Sequence, residues 1–567
     1  MSTPYDERPW LRFYAEGVPV NVQIPDVPLT HLLDASAERF PNRKALMFFG
    51  RSMTYARLLS EVNRFAGALR RIGVRKGERV AMILPNCPQE VIAFYAILRV
   101  GAIVVPTNPL YTASELRHQL ADSGTRVVLV FDKAYETLVE AMPGTSVQQV
   151  VVTSLTEYLP FVKRELLKLP LAKARRLLSE LSTEVAETAN VLWFDDLLKE
   201  GPDSPQQTPV DPIRDLAVLQ YTGGTTGRPK GAMLTHRNLV ANAHQTTAWD
   251  PGIRPGHEVN LAVVPLFHVF GLTFCLTCTT LIGGMVVLIP RFDLDLVLDA
   301  VRKYKPTLFP GVPPIYQQLA AAPESKKAGV GDIRTSVSGA MKLARTTVDA
   351  FKTGTGGQLV QGYGMTETSP VLMANPLDGN ARHVSVGAPL PGTEARIVDE
   401  NDPRRVLPIG YPGELIVRGP QVFVGYWNQP AETAETLSRD GWFRTGDIGV
   451  MSPDGFFTLI DRKRDVVIVD GFNVYPSEIE NVLSAHPGVG EAAVVGIPDS
   501  AHGEVVSAYI IPRDPHRVPT REELTEYCSH HLAEYKVPAY IEIRPTLPRN
   551  MLGKVLRRVL REENAMS

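Results

Sequence analysis

Three short apolar runs, RVAMIL (79–84), AIVVP (102–106) and RVVLVF (126–131), most constrain what this chain can fold into. Each is too short for a helix and lacks the polar alternation of a half-exposed strand, so each reads as a strand buried on both faces. Between them lie PQEVIAFYAILRVG (88–101) and ASELRHQLADSG (113–124), with the length and composition of helices. Upstream, Leu58, Val62, Phe65, Ala66 and Leu69 share one helical face, and Gly73 offers a C-terminal stop. Strands separated by whole helices need long crossovers. They therefore pair in parallel with right-handed connections, which predicts an α/β fold of layered sheets.

A chain of 567 residues exceeds what one core holds, about 250–300 residues, so more than one domain is expected. Charge is nearly balanced, 59 Lys+Arg against 61 Asp+Glu, and a nucleic-acid partner is not expected. Cys275 and Cys278 make a C-x-x-C, but they lie in an apolar run with no second pair nearby, so two buried thiols are expected rather than a metal site. The start, MSTPYDERPW, has no apolar h-region, and the end, ENAMS, is not an SKL tail. With four cysteines in all, a reducing, cytoplasmic setting is the expectation.

Between Glu258 and Arg291 lie 32 residues with no Asp, Glu, Lys or Arg and one histidine, His268, long enough to cross a bilayer. Pro265, Gly271 and Gly283-Gly284 punctuate this stretch. LAVVPLFH (261–268) and MVVLIP (285–290) therefore read as buried strands around a short helix, a β-α-β unit and not a membrane span. The segment 161–176, FVKRELLKLPLAKARR, carries six basic residues against one acidic, and Pro170 breaks any single helix there. It reads either as a solvated surface excursion or as a patch for an anionic membrane surface, which would make the protein peripheral on a membrane's inner face. SPQQTP (204–209) looks like a linker before the strand DLAVLQYT (215–222). Charge, Gly and Pro cluster again at 461–477. Beyond it the pattern is a small α+β domain: SEIENVLSAH helical, EAAVVGIP and VVSAYIIP as strands, a Thr520–Glu523 capping box, and a basic helix after Gly553. The division drawn is a body at 1–460 and a cap at 461–567.

The strongest local signal is YTGGTTGRPKG (221–231). Glycines let the backbone approach with its N–H groups inward, threonine hydroxyls donate, and Lys230 adds charge, all suited to phosphate oxygens. It lacks the spacing of a Walker loop. In QGYGMTETSP (361–370), Tyr363 offers a ring for a planar base, and Thr366 and Glu367 suit Mg²⁺ bridging phosphates. GWFRTGDIG (441–449) puts Asp447 in a tight turn where a carboxylate can accept both hydroxyls of a ribose, with Arg462 in DRKR (461–464) beyond it. PRNMLGKVLRR (548–558) places Lys554 after a glycine. Alone, it reads as one more cation on a basic face.

In this order, these segments resemble the adenylate-forming superfamily of acyl-CoA synthetases over about residues 28–562. The stretch DGWFRTGDIGVMSPDGFFTLIDRKRDVVIVDGFNVYPSEIE (440–480) is most similar to long-chain fatty-acid–CoA ligases. The resemblance implies a large layered α/β body of several subdomains with a small mobile cap, and the substrates fatty acid, ATP and CoA, with Mg²⁺. It implies two steps: a carboxylate attacks the α-phosphate of ATP, and the thiol of CoA then displaces AMP. By similarity, Thr222, Gly223, Gly224, Thr225, Thr226, Gly227 and Lys230 hold phosphates, and Lys554 bridges carboxylate and phosphate. Glu367 binds the metal, with Thr366 on the phosphate. Gly339, Ala340 and Gln361, Gly362, Tyr363, Gly364 line the adenine site, and Asp447 and Arg462 hold the ribose.

The same resemblance puts Phe267, His268, Val269, Phe270, Gly271 and Gly311 at the acyl pocket, although a lone histidine in an apolar run is more often a satisfied core residue. It puts the hinge at Asp461, and Gly471 of GFN (471–473) by the CoA channel. Asp470 departs from the pattern, where related ligases commonly carry Ser or Gly. Three other readings stay open: the same chemistry on a medium-chain or aryl acid, an acyl-AMP ligase serving a carrier protein, and a silent protein that keeps the fold. Chain length and oligomeric state, a homodimer included, stay open too.

Overall fold

Arg79–Ile83 lies between Ile103–Pro106 and Val127–Phe131 and runs parallel to both, as the three apolar runs predict. The computed structural model describes residues 3–167, 169, 172–185, 191–202, 207–222, 229–470, 472–499, 502–550 and 552–565, and these form four sheets. The sheet holding those runs has seven strands and ends in an antiparallel hairpin of Leu216–Thr222 and Lys230–Thr235. Pro88–Arg99 is mostly apolar and buried along its whole length, its Gln89, Glu90 and Arg99 included. Burial drives Glu90, on this helix, toward the neutral acid.

The second sheet has nine strands, and its middle is parallel. Met285–Leu288, Val259–Ala262, Leu308–Gly311, Thr335–Ser338 and Val360–Gly364 stand side by side, so their C-terminal ends open on one edge. The apolar stretch after Glu258 is thus a β-α-β unit, and no helix among the described residues is long and apolar enough to cross a membrane. The strand expected at 261–268 is shorter, however, and ends at Ala262. Asn86 takes over the main chain beyond it: its Nδ2 donates to the Ala262 and Val264 carbonyls, and its Oδ1 accepts the Leu266 N–H. These bonds satisfy a buried, non-repeating backbone. Cys275 and Cys278 are buried thiols on the following helical segment, as expected, and burial raises both.

Residues 394–462 form a four-stranded antiparallel sheet, and its last strand, Phe457–Arg462, leads into the cap. There Val467–Val469, Phe472–Val474, Val489–Asp499, Gly503–Pro512 and Tyr540–Ile543 form a five-stranded sheet with its own core of Val474, Ile479, Leu483, Val494, Val506, Leu524 and Ile541. The Thr520–Glu523 capping box opens Arg521–His531. The basic terminal helix starts at Arg557, so Lys554 precedes it. The 161–176 segment lies in two helices, Phe161–Leu167 and Ala172–Leu181, and Pro170 lies outside the described residues.

Candidate active site

A cavity of about 1540 Å³ opens where the parallel strands of the nine-stranded sheet end, between that edge, the four-stranded sheet and the terminal turn of the cap. Its wall includes Thr222, Lys230, Phe267, His268, Val269, Phe270, Gly339, Ala340, Gly362, Tyr363, Gly364, Thr366, Glu367, Arg462 and Lys554. Segments more than 300 residues apart in sequence thus meet in one space. Gly223, Gly224, Thr225, Thr226, Gly227 and Gly471 lie outside the described residues. The ends of the phosphate loop are nevertheless set, because Thr222 and Lys230 face each other across the hairpin.

Asp447 and Arg462 are cross-strand partners, and Arg462 Nε lies 2.6 Å from Asp447 Oδ1. The Tyr363 hydroxyl donates to Asp447 Oδ2 at 2.5 Å. Burial and the Asp447 charge push the Tyr363 phenol well up, and Asp447 raises the Arg462 guanidinium. Asp447 itself is only 4% exposed and lies behind Tyr363 and Arg462 instead of on the cavity wall.

Lys554 is half-buried in a tight turn tied by Asn550, whose Oδ1 accepts the N–H groups of Leu552 and Lys554 at 3.0 and 2.9 Å. Arg557 anchors the turn through Glu480 at 2.7 Å and Asp465 at 3.5 Å. Burial, and then the Arg462 charge, lower the Lys554 pKa to about 8, with Asp447 opposing. At the other end, Lys230 is paired with Glu432, which also lies 3.5 Å from Arg464, and its Nζ stands 5.5 Å from the centre of the Tyr426 ring. Glu367 Oε1 accepts the Tyr426 hydroxyl at 2.7 Å. Its second oxygen and the Thr366 hydroxyl are hard oxygen donors, on residues that share the cavity wall with Thr222 and Lys230. Such a donor set fits Mg²⁺, which takes one or two carboxylates and completes its shell with phosphates and water.

Glu432 thus occupies the cation that the sequence reading gives to phosphate. Glu432→Gln is therefore expected to lower the KM for ATP roughly two- to fivefold, the worth of one partly exposed ion pair. Pyrophosphate release against ATP concentration measures this; an unchanged or raised KM would show that Glu432 orients Lys230 instead of competing with phosphate.

On the apolar side, His268 Nδ1 accepts the Phe270 N–H at 3.2 Å, so the ring proton sits on Nε2. Burial lowers this histidine to about 4, leaving it neutral at pH 7. Gln220 Nε2 holds the Phe267 carbonyl at 3.1 Å. Gly271, Gly311 and Gln361 do not line the cavity. A Cβ at Gly271 would lie 2.1 Å from the Pro265 carbonyl oxygen, so its glycine serves a close backbone approach. Gly311 packs under Tyr316, and Gln361 gives its carbonyl to Asn375. Asp461 lies outside the wall too; its Oδ2 accepts the Ser477 N–H at 2.7 Å, joining the last strand of the body to the first helix of the cap. Asp470 is exposed at a φ of +50°, with Oδ1 2.8 Å from His502 Nδ1, and this contact raises His502.

Sequence reasoning missed Tyr426, Glu432, Asn550 and the deep wall of Trp249, Phe274, Cys278 and Ile282. Phe274, Cys278 and Ile282 belong to the uncharged run after Glu258, whose composition gave a signal for burial but none for a pocket. Trp249 carries no local signal; its Nε1 is fixed on the Asn375 carbonyl at 3.0 Å.

Residues 33–427 match the AMP-binding enzyme family, and residues 478–554 match the AMP-binding enzyme C-terminal domain. The chain is similar to a long-chain-fatty-acid–CoA ligase of Bacillus subtilis (strain 168), at 41% identity over 558 residues and 98% of each chain. It is similar to the crystal structure of ATP-bound MatB from Rhodopseudomonas palustris, with 30% identity, a TM-score of 0.81, and coverage of 95% of this chain and 99% of that one. Apo MatB, at the same identity and coverage, superposes with a TM-score of 0.70.

Proposed function

The chain belongs to the AMP-binding enzyme family and is an adenylate-forming acyl-CoA ligase; on that premise we propose that it activates long-chain fatty acids. The observation that carries the reading is one cavity holding Lys554, Lys230 and Arg462 beside the apolar wall of Phe267, Val269, Phe270 and Phe274. Cations for a triphosphate and an uncharged lining for an alkyl chain thus share one space. Similarity to the Bacillus subtilis ligase over nearly the full chain supports the long-chain assignment.

In the first step a carboxylate oxygen bonds to the α-phosphorus of ATP and pyrophosphate leaves. Negative charge builds on phosphate oxygens, and Lys554 is preorganised to meet it. Lys230 and Thr222 hold the β,γ end, with Arg462 and Tyr363 on the nucleoside side. Glu367 and Thr366 would hold Mg²⁺, which neutralises phosphate charge when bound. His268, neutral and with its proton on Nε2, can donate toward an acyl oxygen without adding charge. In the second step the CoA sulfur bonds to the acyl carbon and AMP leaves.

The body ends at about residue 460, and the cap turns about Asp461 between the steps, bringing the GFN segment to the CoA channel. The nearer match to ATP-bound than to apo MatB, together with Lys554 in the cavity, supports an adenylation-side arrangement. Asp470→Ser is then expected to change thioester formation a few-fold and leave adenylation unaltered, measured as separate half-reactions; equal effects on both would exclude a CoA-side role. A cytoplasmic setting with peripheral attachment to a membrane belongs to the same reading, because the acid is poorly soluble in water.

A panel of acids with and without CoA tests the assignment. Pyrophosphate release that rises toward long chains, with thioester forming only when CoA is added, is the expected result. Preference for aryl or medium-chain acids, adenylate without thioester, or no acid-dependent release would each overturn it.

A further inference from the structure

Beyond its nucleotide end the cavity follows one face of the nine-stranded sheet. Side chains alternate between the two faces of a strand, and the wall takes every second residue: Thr335, Val337 and Gly339 from one segment, joined by Val360, Gly362 and Gly364 from its neighbour. Val337 pairs with Val360 and Thr335 with Leu308. The wall therefore passes from glycines to valines and then to Leu308 and Thr335. At about 3.3 Å per residue, Thr335 stands roughly 13 Å from Gly339. Trp249, Phe274 and Ile282 add apolar surface.

The far end is polar. Asp250 is on the wall there, 9% exposed, and its Oδ2 accepts the Thr335 hydroxyl at 2.8 Å and Arg334 Nη2 at 3.0 Å. Its Oδ1 accepts the Gly252 N–H at 3.0 Å. A carboxylate has about four acceptor places, so room remains for another donor. Thr246 and Thr247, in the last turn of His236–Ala248, are wall residues too. Their hydroxyls are buried without a hydrogen-bond partner among the described residues. The Cys278 thiol beside them is a weak donor and already donates to the Ala243 carbonyl at 3.7 Å.

A methyl end seated here strips water from Asp250 and the threonines and offers no bond in return, and polar groups desolvated without a partner are costly. A hydroxyl on the last carbon can instead donate to the Asp250 carboxylate and accept from a threonine. We propose that this deep end, Asp250 and Thr335 with Thr246 and Thr247, selects acyl chains bearing a hydroxyl at the end remote from the carboxylate, so that ω-hydroxy long-chain acids are preferred substrates. The inference deepens the long-chain ligase reading and rests on it. A site built to pair a hydroxyl discriminates against the analogue lacking it more strongly than an apolar pocket discriminates against one methylene. A second carboxylate at that end meets the Asp250 charge and is disfavoured.

Pyrophosphate release by the full chain with matched acids tests the proposal: unsubstituted acids from decanoate to octadecanoate, their ω-hydroxy counterparts, and the α,ω-diacids. The ratio of kcat/KM for the ω-hydroxy acid to that for the unsubstituted acid should peak at one chain length and reach about tenfold or more there, the worth of a hydrogen bond to a charged group. The diacid should fall below both. Asp250→Ala should bring the ratio at that length to about one, and the gentler Thr335→Val should lower it about threefold. Each ratio is taken within one enzyme, so a loss of folded protein leaves it unchanged.

The proposal is overturned if the ratio stays at or below one at every length, if the diacids are used best, or if both variants keep the wild-type ratio. The first outcome includes a floor that only holds water. Failure of the ligase reading would register separately, as no acid-dependent pyrophosphate release from any of the aliphatic series.

Discussion

Replacing Lys554 by Ala is expected to slow acid-dependent pyrophosphate release by ~10²–10³-fold, the usual loss when one preorganised charge donor is removed from a developing oxyanion. On the proposed two-face scheme, thioester formation from preformed acyl-adenylate should survive. Loss of both half-reactions would contradict the two-face scheme. The same lysine sets a pH limb. Its pKa of about 8 in the free enzyme means that it carries its proton below that pH and loses it above. kcat/KM for ATP should therefore be flat below pH 8 and fall about tenfold per unit above it. Once ATP is bound, its phosphates favour the ammonium form, so the limb in kcat should lie higher. Lys554→Arg, which stays charged, should lose the limb altogether at a lower rate.

Asp447→Ala should lower kcat/KM for ATP roughly 10–150-fold, corresponding to one hydrogen bond with a charged partner of about 1.5–3 kcal/mol. The substitution removes the acceptor from the Tyr363 hydroxyl and the counter-ion from Arg462 together. It should also move the Lys554 limb below pH 8, because Asp447, ahead of Asp465, opposes the lowering by burial and by Arg462. Tyr363→Phe keeps the carboxylate and should leave that limb in place. An Asp447→Ala enzyme whose limb stays at pH 8 would show that the carboxylate does not act on Lys554.

The layered α/β architecture was legible because it rests on interactions between near neighbours in sequence. An apolar hexamer such as RVAMIL must be covered on both faces, and the helix after it fits only as a crossover. The Thr520–Glu523 box closes within three residues and was read correctly. The strand expected through 268 was misjudged because Asn86, some 180 residues away, takes its main-chain bonds. Gly271 and Gly311 were assigned to the pocket on resemblance, yet each lies against backbone or a buried ring. The Lys230–Glu432 and Tyr363–Asp447 contacts span 202 and 84 residues, and no periodicity encodes such a partner.

By itself, then, the order of residues determined which segments are strands, which loops suit phosphate, and that Lys554 follows a glycine turn. These follow from side-chain size, charge and backbone freedom over a few positions. Only the tertiary structure decided that Lys554 loses proton affinity, that Asp447 is sealed behind Tyr363 and Arg462, and that Phe161 faces water while Leu167 does not. Burial and the field of distant charges depend on what the folded chain brings alongside a group, and that is settled by packing, not by neighbours in sequence.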